Sequence, residues 1–303
     1  MAVTPEQAIE AADEAFGRHS GYRAFHAKGT LLTGTFTATP EAAALTRAAH
    51  LQGDPVPATI RVSNGAGNPK LPDFAPDVRG FAVKFELPGG QTTDIVAQTA
   101  PQFPVATPDG FVELVAAFAP RPSIAWRVPR FFARYPRAAR ILAKAAPTLG
   151  PPASYATIRY YALHAFRFLD ASDHATYVRY TWVPERPQPR LNPAVAARRG
   201  RDYLQREIRE RLSRGPVRFT LELQLAEPGD PVNDPSEQWP EDRRQVSAGT
   251  LEIAGLHANG EAAGRGLVFD PARVTDGIEL SDDPVLKFRP HAYARSAERR
   301  MVE

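Results

Sequence analysis

The hydrophobic pattern changes period several times along the 303-residue chain. Near its start Ala8, Ile9, Ala12 and Phe16 recur at helical spacing, which predicts an amphipathic helix over residues 4–18, closed by Gly21. From Lys28 to Thr39 the period drops to two: Leu32, Phe36 and Ala38 fall on one side and threonines on the other, as in a half-buried strand. Residues 58–65 alternate again, with Ile60 and Val62 opposite Arg61 and Ser63. Phe81, Val83, Phe85 and Leu87 share a face of the next strand, after which Pro88-Gly89-Gly90 turns the chain into an antiparallel return over residues 92–99. Good helix formers separated by prolines interrupt the pattern between Asp109 and Leu149. Alternation resumes at residues 157–170 and 174–184, a hairpin joined through Asp170-Ala171-Ser172-Asp173. A charged helix at about 194–213 follows, then a strand with Val217, Phe219, Leu221, Leu223 and Leu225 on one face, and a last strand at 249–256.

Strands grouped in this way, without a strand–helix–strand alternation, predict an α+β fold: an antiparallel eight-stranded β-barrel with helical insertions and a C-terminal helix. The Pro/Asp-rich stretch Glu227–Arg244 reads as a wrapping loop. No repeat or flexible linker divides the chain, so one domain is expected over residues 1–303, with an N-terminal helix in 1–20 and the barrel plus helices in 21–303. In the last segment Asp283 is an N-cap and Pro284 a first-turn proline. At about 100° per residue Arg289, Tyr293 and Arg300 then lie within about 40° of one another, and Pro290 predicts a kink. On its own such a face reads as solvated or paired with surface carboxylates.

Composition narrows the chemistry. There is no cysteine, which excludes disulfides, thiolate metal sites and thiol nucleophiles. No run is long enough to span a bilayer and the first residues lack a signal-peptide pattern, so a cytoplasmic location is expected. The basic stretch around residues 198–215 pairs Arg206 with Glu210 and Glu207 with Arg211 at helical spacing, which reads as a solvated face and not a phosphate stripe. Seven histidines include no zinc-binding spacing, and no nucleophile elbow, P-loop or dinucleotide-binding glycine motif is present.

Four stretches carry a resemblance. YRAFHAKGTLLTGTF, residues 22–36, resembles the segment of haem catalases that holds the distal histidine; residues 61–103, with RGFAVKF, are similar to the run that follows it in that family. The loop DPVNDPSEQWP and the tail from residue 267 resemble later catalase landmarks in the family's order, so the likeness covers residues 22–300. The chain is identified as a member of the catalase-like haem superfamily, nearest its small branch of catalase-related peroxidases, because the long N-terminal arm and C-terminal domain of full-length catalases have no counterpart.

The resemblance implies a catalase-type barrel holding haem b with ferric iron, and it assigns roles residue by residue. Tyr293 falls on the proximal tyrosine that ligates the iron; a phenol must lose its proton to do so, and Arg289 one turn earlier favours the anion. His26 falls on the distal histidine, a base that moves the peroxide proton between its two oxygens, and Ser63 on the serine that orients that imidazole. Arg23, Arg61 and Arg300 fall on the arginines that hold the propionates, and Phe111 on the phenylalanine over the distal face. Two departures stand out: the family's distal asparagine is replaced in the run Ala97-Gln98-Thr99-Ala100-Pro101, leaving Gln98 or Thr99 to take its place, and Phe25 stands where a valine is usual beside the histidine, against the cofactor. The implied activity is reduction of hydrogen peroxide and organic hydroperoxides with small organic electron donors and weak catalase activity. The implied partners are those small molecules and a second copy in a homodimer, with no nucleic acid and no membrane. Rival readings are a true catalase, a hydroperoxide isomerase of the allene oxide synthase kind, and a non-catalytic haem carrier.

Overall fold

The computed structural model describes residues 2–258 and 260–302. Its strands are β1 (Gly29–Ala38), β2 (Val56–Asn64), β3 (Arg79–Glu86), β4 (Thr92–Gln98), β5 (Tyr160–Leu169), β6 (Ala175–Pro184), β7 (Val217–Leu225), β8 (Gln245–Leu256) and β9 (Ile278–Leu280). The helices are α1 (Pro5–Phe16), α2 (Pro40–Ala43), α3 (Pro108–Ala117), α4 (Ile124–Arg134), α5 (Pro136–Ala145), α6 (Pro193–Arg198), α7 (Tyr203–Leu212), α8 (Gly260–Gly264) and α9 (Pro284–Val302). Adjacent strands pair antiparallel in the order β4-β3-β2-β1-β8-β7-β6-β5, and a single pairing of Gln98 with Tyr161 joins β4 to β5. The eight strands thus close into the expected barrel, with a seam one residue pair wide.

Period-two patterning decides which face of each strand fills the barrel. Ala58, Ile60 and Val62 of β2, and Phe81, Val83 and Phe85 of β3, belong to the main core. Aromatic rings do much of the filling: Phe36 lies 5.3 Å from Phe85 and 6.0 Å from Trp182, and Phe81 lies 4.8 Å from both Tyr160 and Phe219. Each such ring, fully buried, stabilises the fold by roughly 1.5–3 kcal/mol. The opposite faces of β2, β4 and β5 turn outward, and these carry Arg61, Ser63, Val96, Gln98, Tyr161 and Leu163 to a cavity outside the barrel wall.

Local chemistry explains where the expected boundaries moved. Thr4 and Gln7 cap α1 reciprocally, and the helix ends at Gly17, whose φ of 82° only glycine adopts cheaply, four residues before Gly21. The single charged helix expected at 194–213 is two, α6 and α7, broken at Gly200 with φ 97°. Strand β9 is three residues long, too short to show alternation, and α9 continues through Pro290. Among the described residues no helix is long and apolar enough to cross a membrane.

One core histidine makes a prediction. His50 is 1% exposed, its ring lies 4.8 Å from that of Phe85, and its Nδ1 has no hydrogen-bond partner. Burial pushes its pKa down to about 3. The folded protein therefore keeps His50 neutral while the unfolded chain takes up a proton below about 6.5, so this group costs stability as pH falls. Between pH 7 and pH 5 the loss is roughly 2 kcal/mol for this residue. Denaturant unfolding of His50→Phe at both pH values is expected to show that much less acid sensitivity than the parent.

Candidate active site

Ten of the eleven residues singled out from sequence line one cavity of about 360 Å³, enclosed by the outer faces of β2–β5 and by α1, α3 and α9. Thr99 is the exception. It is 1% exposed and its hydroxyl accepts the backbone N–H of Arg79 at 3.0 Å, so it fastens β3 to β4 behind the cavity wall.

His26 sits in the turn before β1 with φ 57°, a left-handed conformation costly for a residue with a Cβ. The turn is held on both sides. His26 N–H donates to Gly65 O at 2.8 Å, Ala27 N–H to Ala66 O at 3.1 Å, and the Arg61 guanidinium donates to the carbonyls of His26 at 2.9 Å and Ala27 at 3.3 Å. Gly29 leaves room for this: a Cβ there would lie 2.5 Å from Arg61 Nη2. The imidazole Nδ1 is 3.0 Å from Ser63 Oγ. Gly80 on the neighbouring strand faces the pair, and a Cβ at that position would be 2.6 Å from both His26 Nδ1 and Ser63 Oγ. Burial, with the charges of Arg61, Arg289 and Arg23, pushes the pKa of His26 down to about 3, so the ring is a neutral base at physiological pH. Around it Phe25 packs 5.6 Å from Phe111, which packs 5.0 Å from Phe103, forming an aromatic wall. Gln98 lies at the barrel seam, with Gly80 as its register partner on β3 and Tyr161 on β5.

On α9 the helical spacing does what the sequence implies. The Tyr293 hydroxyl accepts from Arg289 Nε at 3.0 Å and from Arg289 Nη2. The third guanidinium nitrogen meets His164 Nε2 at 2.8 Å, and His164 Nδ1 lies 2.6 Å from Asp283 Oδ2. A neutral His164 that donates from Nδ1 to Asp283 and accepts at Nε2 from Arg289 satisfies every atom of this row. Burial lowers the pKa of His164, which favours that neutral form. Asp283 and His164 went unassigned in sequence. Asp283 shows only as an N-cap, a role it keeps by accepting from the N–H groups of Val285 at 2.8 Å and Leu286 at 3.2 Å. His164 is hidden because a register shift between Ala162 and Phe166 breaks the alternation of β5 and re-aims the residues within it.

Three arginines give the cavity a cationic edge. Arg23 donates to the carbonyls of Gly264 and Leu267, both at 2.8 Å, and Arg300 to those of Arg265 at 2.6 Å and Leu267 at 2.8 Å. Arg300 is 5% exposed; burial and the nearby Arg61 push its pKa down to about 10. A buried cation pressed by a second one favours an anionic group beside it. A phenol oxygen aimed by a guanidinium, a neutral imidazole, mostly apolar walls and this edge suit a flat apolar cofactor bearing carboxylates and a metal ion with a free coordination site.

The fold is that of catalases. The chain superposes on a bacterial catalase with a TM-score of 0.84 at 24% identity, covering 94% of this chain and 58% of that one. A fungal catalase gives 0.80 at 22%, with 94% and 61% covered. The Catalase family profile matches residues 14–303, and the chain belongs to the catalase family, whose members bind haem. It is 47% identical over 298 residues to the catalase-related peroxidase of Mycolicibacterium paratuberculosis, covering 98% of this chain and 95% of the relative. It is 36% identical over 302 residues to the catalase-related peroxidase of Synechococcus elongatus, with 98% and 89% covered.

Proposed function

We propose that the chain is a haem b peroxidase that reduces hydrogen peroxide and organic hydroperoxides with electrons from small organic donors and dismutates hydrogen peroxide only weakly. The observation that carries this reading is the meeting of His26 and Tyr293 in one cavity with Gln98, not asparagine, at the barrel seam. Tyr293 would ligate the iron through its hydroxyl oxygen, and Arg23, Arg61 and Arg300 would hold the propionates. Bound haem supplies a ferric iron able to take up two oxidising equivalents from a peroxide.

The chain's own part is proton transfer and placement. With Nδ1 tied to Ser63, the Nε2 of His26 takes the proton from one peroxide oxygen and returns it to the other, so the leaving group departs as water or an alcohol. An imidazolium held at a pKa of about 3 gives that proton up readily. Arg289 places two N–H donors on the Tyr293 oxygen and so stabilises negative charge there, while His164 and Asp283 hold Arg289 in line. The ring wall of Phe25, Phe103 and Phe111 keeps water from the O–O bond and accepts an alkyl group. Dismutation needs a second hydrogen peroxide held as reductant; the longer Gln98 side chain sets its amide elsewhere than asparagine would, and about 1 Å of misplacement is enough to lose it. A donor peroxidase has no such requirement.

Steady-state kinetics of the haem-loaded protein test the reading. Consumption of hydrogen peroxide and of cumene hydroperoxide is expected to depend on an added phenolic donor, with oxygen evolution at least about tenfold slower. Vigorous oxygen evolution without donor oxidation would make it a true catalase. Conversion of a fatty acid hydroperoxide to an allene oxide would make it an isomerase.

A further inference from the structure

From Leu114 to Leu169 the chain carries nine basic residues and no acidic one, although 34 of its 303 residues are acidic. Seven of the nine lie on or beside α4 and α5, which pack over α3. Arg121, Arg134 and Arg137 reach acids elsewhere in the chain, at Glu14, Glu113 and Glu237. Among the described residues Arg127, Arg130 and Arg140 form no ion pair.

The packing stripe of α4 is already used. At about 100° per residue Val128, Phe131, Phe132 and Tyr135 fall within about 100° of arc. Phe131, Phe132 and Tyr135 pack with Phe103 and Phe111 in the apolar cluster beside the cavity. Trp126 falls on the far side, flanked by Arg130, and is 58% exposed; Phe118 and Ile124 at the adjoining corner are 46% and 38% exposed. An indole and arginines turned outward together match the headgroup zone of a bilayer, where the ring sits among ester groups and guanidiniums meet phosphates. Nucleic-acid backbones need only the cations, and leave Phe118 and Ile124 without a use.

We infer that the outer face of α4, with its α3–α4 corner, docks on anionic lipid surfaces, with Trp126 as its anchor and Arg130 among its phosphate-binding cations. The expectation of no membrane partner rests on the lack of a spanning segment, which a surface contact does not require. The docking face and the cavity share an element: α3 presents Phe111 and Val115 to the cavity and ends one residue before Phe118. The inference is independent of the peroxidase reading.

Flotation of the haem-loaded protein with phosphatidylcholine vesicles, with and without about 30 mol % phosphatidylglycerol, tests it. The protein is expected to float with the anionic vesicles only, and less as salt rises. Each cation near an anionic surface is worth about fivefold, so Trp126→Ser/Arg130→Glu, which shifts the charge by two, should weaken binding at least about 25-fold. Donor oxidation in solution should be unchanged, since neither residue lines the cavity. Trp182 and Trp239 are 0% and 4% exposed, so a blue shift of tryptophan emission on the anionic vesicles reports Trp126. No flotation at low salt, equal flotation with neutral vesicles, or a double variant that floats like the parent overturns the inference. So does tighter binding to a single-stranded oligonucleotide than to the vesicles, or loss of a parental dimer in the double variant, which would assign the face to self-association.

Discussion

Tyr293→Phe is expected to abolish peroxide turnover and to change the ferric haem absorption spectrum. The substitution removes one oxygen and keeps the ring, and Arg289 retains His164 as a partner, so the fold should survive at a cost of about 1–3 kcal/mol for donors left short of an acceptor. Loss of an outer partner of a metal ligand typically costs ten- to hundredfold; loss of the ligand itself should cost more, on the order of a thousandfold in kcat/KM. The spectrum separates this from simple unfolding. If the variant binds haem with the parental spectrum, Tyr293 does not ligate and the assignment of α9 fails.

His26→Asn should do the reverse: leave haem binding in place and slow the O–O step. Removing a positioned base costs roughly 10²–10⁴-fold. Asparagine tolerates the left-handed backbone that His26 adopts at φ 57° better than most residues, and it does not bring an imidazole into a cationic cavity. The variant should therefore melt no lower than the parent while reacting far more slowly with hydrogen peroxide in stopped flow. A rate within about threefold of the parent would remove His26 from the mechanism. The pH profile adds a second reading. Because the pKa of His26 is held near 3, the parent should show no acid limb from this base between pH 5 and pH 8.

Much of the barrel and of the cavity lining is legible in the sequence. The alternation that sets Arg61 and Ser63 against Ile60 and Val62 survives in the barrel wall, with the first pair on the cavity and the second in the core. The helical spacing of Arg289 and Tyr293 survives as the hydrogen bond between them. What escaped depends on contacts distant in sequence. His164 meets Arg289 across 125 residues and lies where a register shift defeats the period. Thr99 sits beside Gln98, but successive strand residues point to opposite faces, so only one of them reaches the cavity. The break between α6 and α7 rests on the left-handed turn at Gly200, which composition signals only weakly. Gly80 reads as an unremarkable strand glycine until the imidazole and hydroxyl it accommodates are placed beside it.

Asp283 works in two directions at once. Its Oδ1 accepts the N–H groups that begin α9, and its Oδ2 holds the imidazole that aligns Arg289. Fraying of the helix start would thus slacken the grip on the Tyr293 oxygen, and a failure of that grip would leave the helix start less anchored. Through this one carboxylate the electronic setting proposed for the Tyr293 oxygen is coupled to the mechanical integrity of the element that bears it.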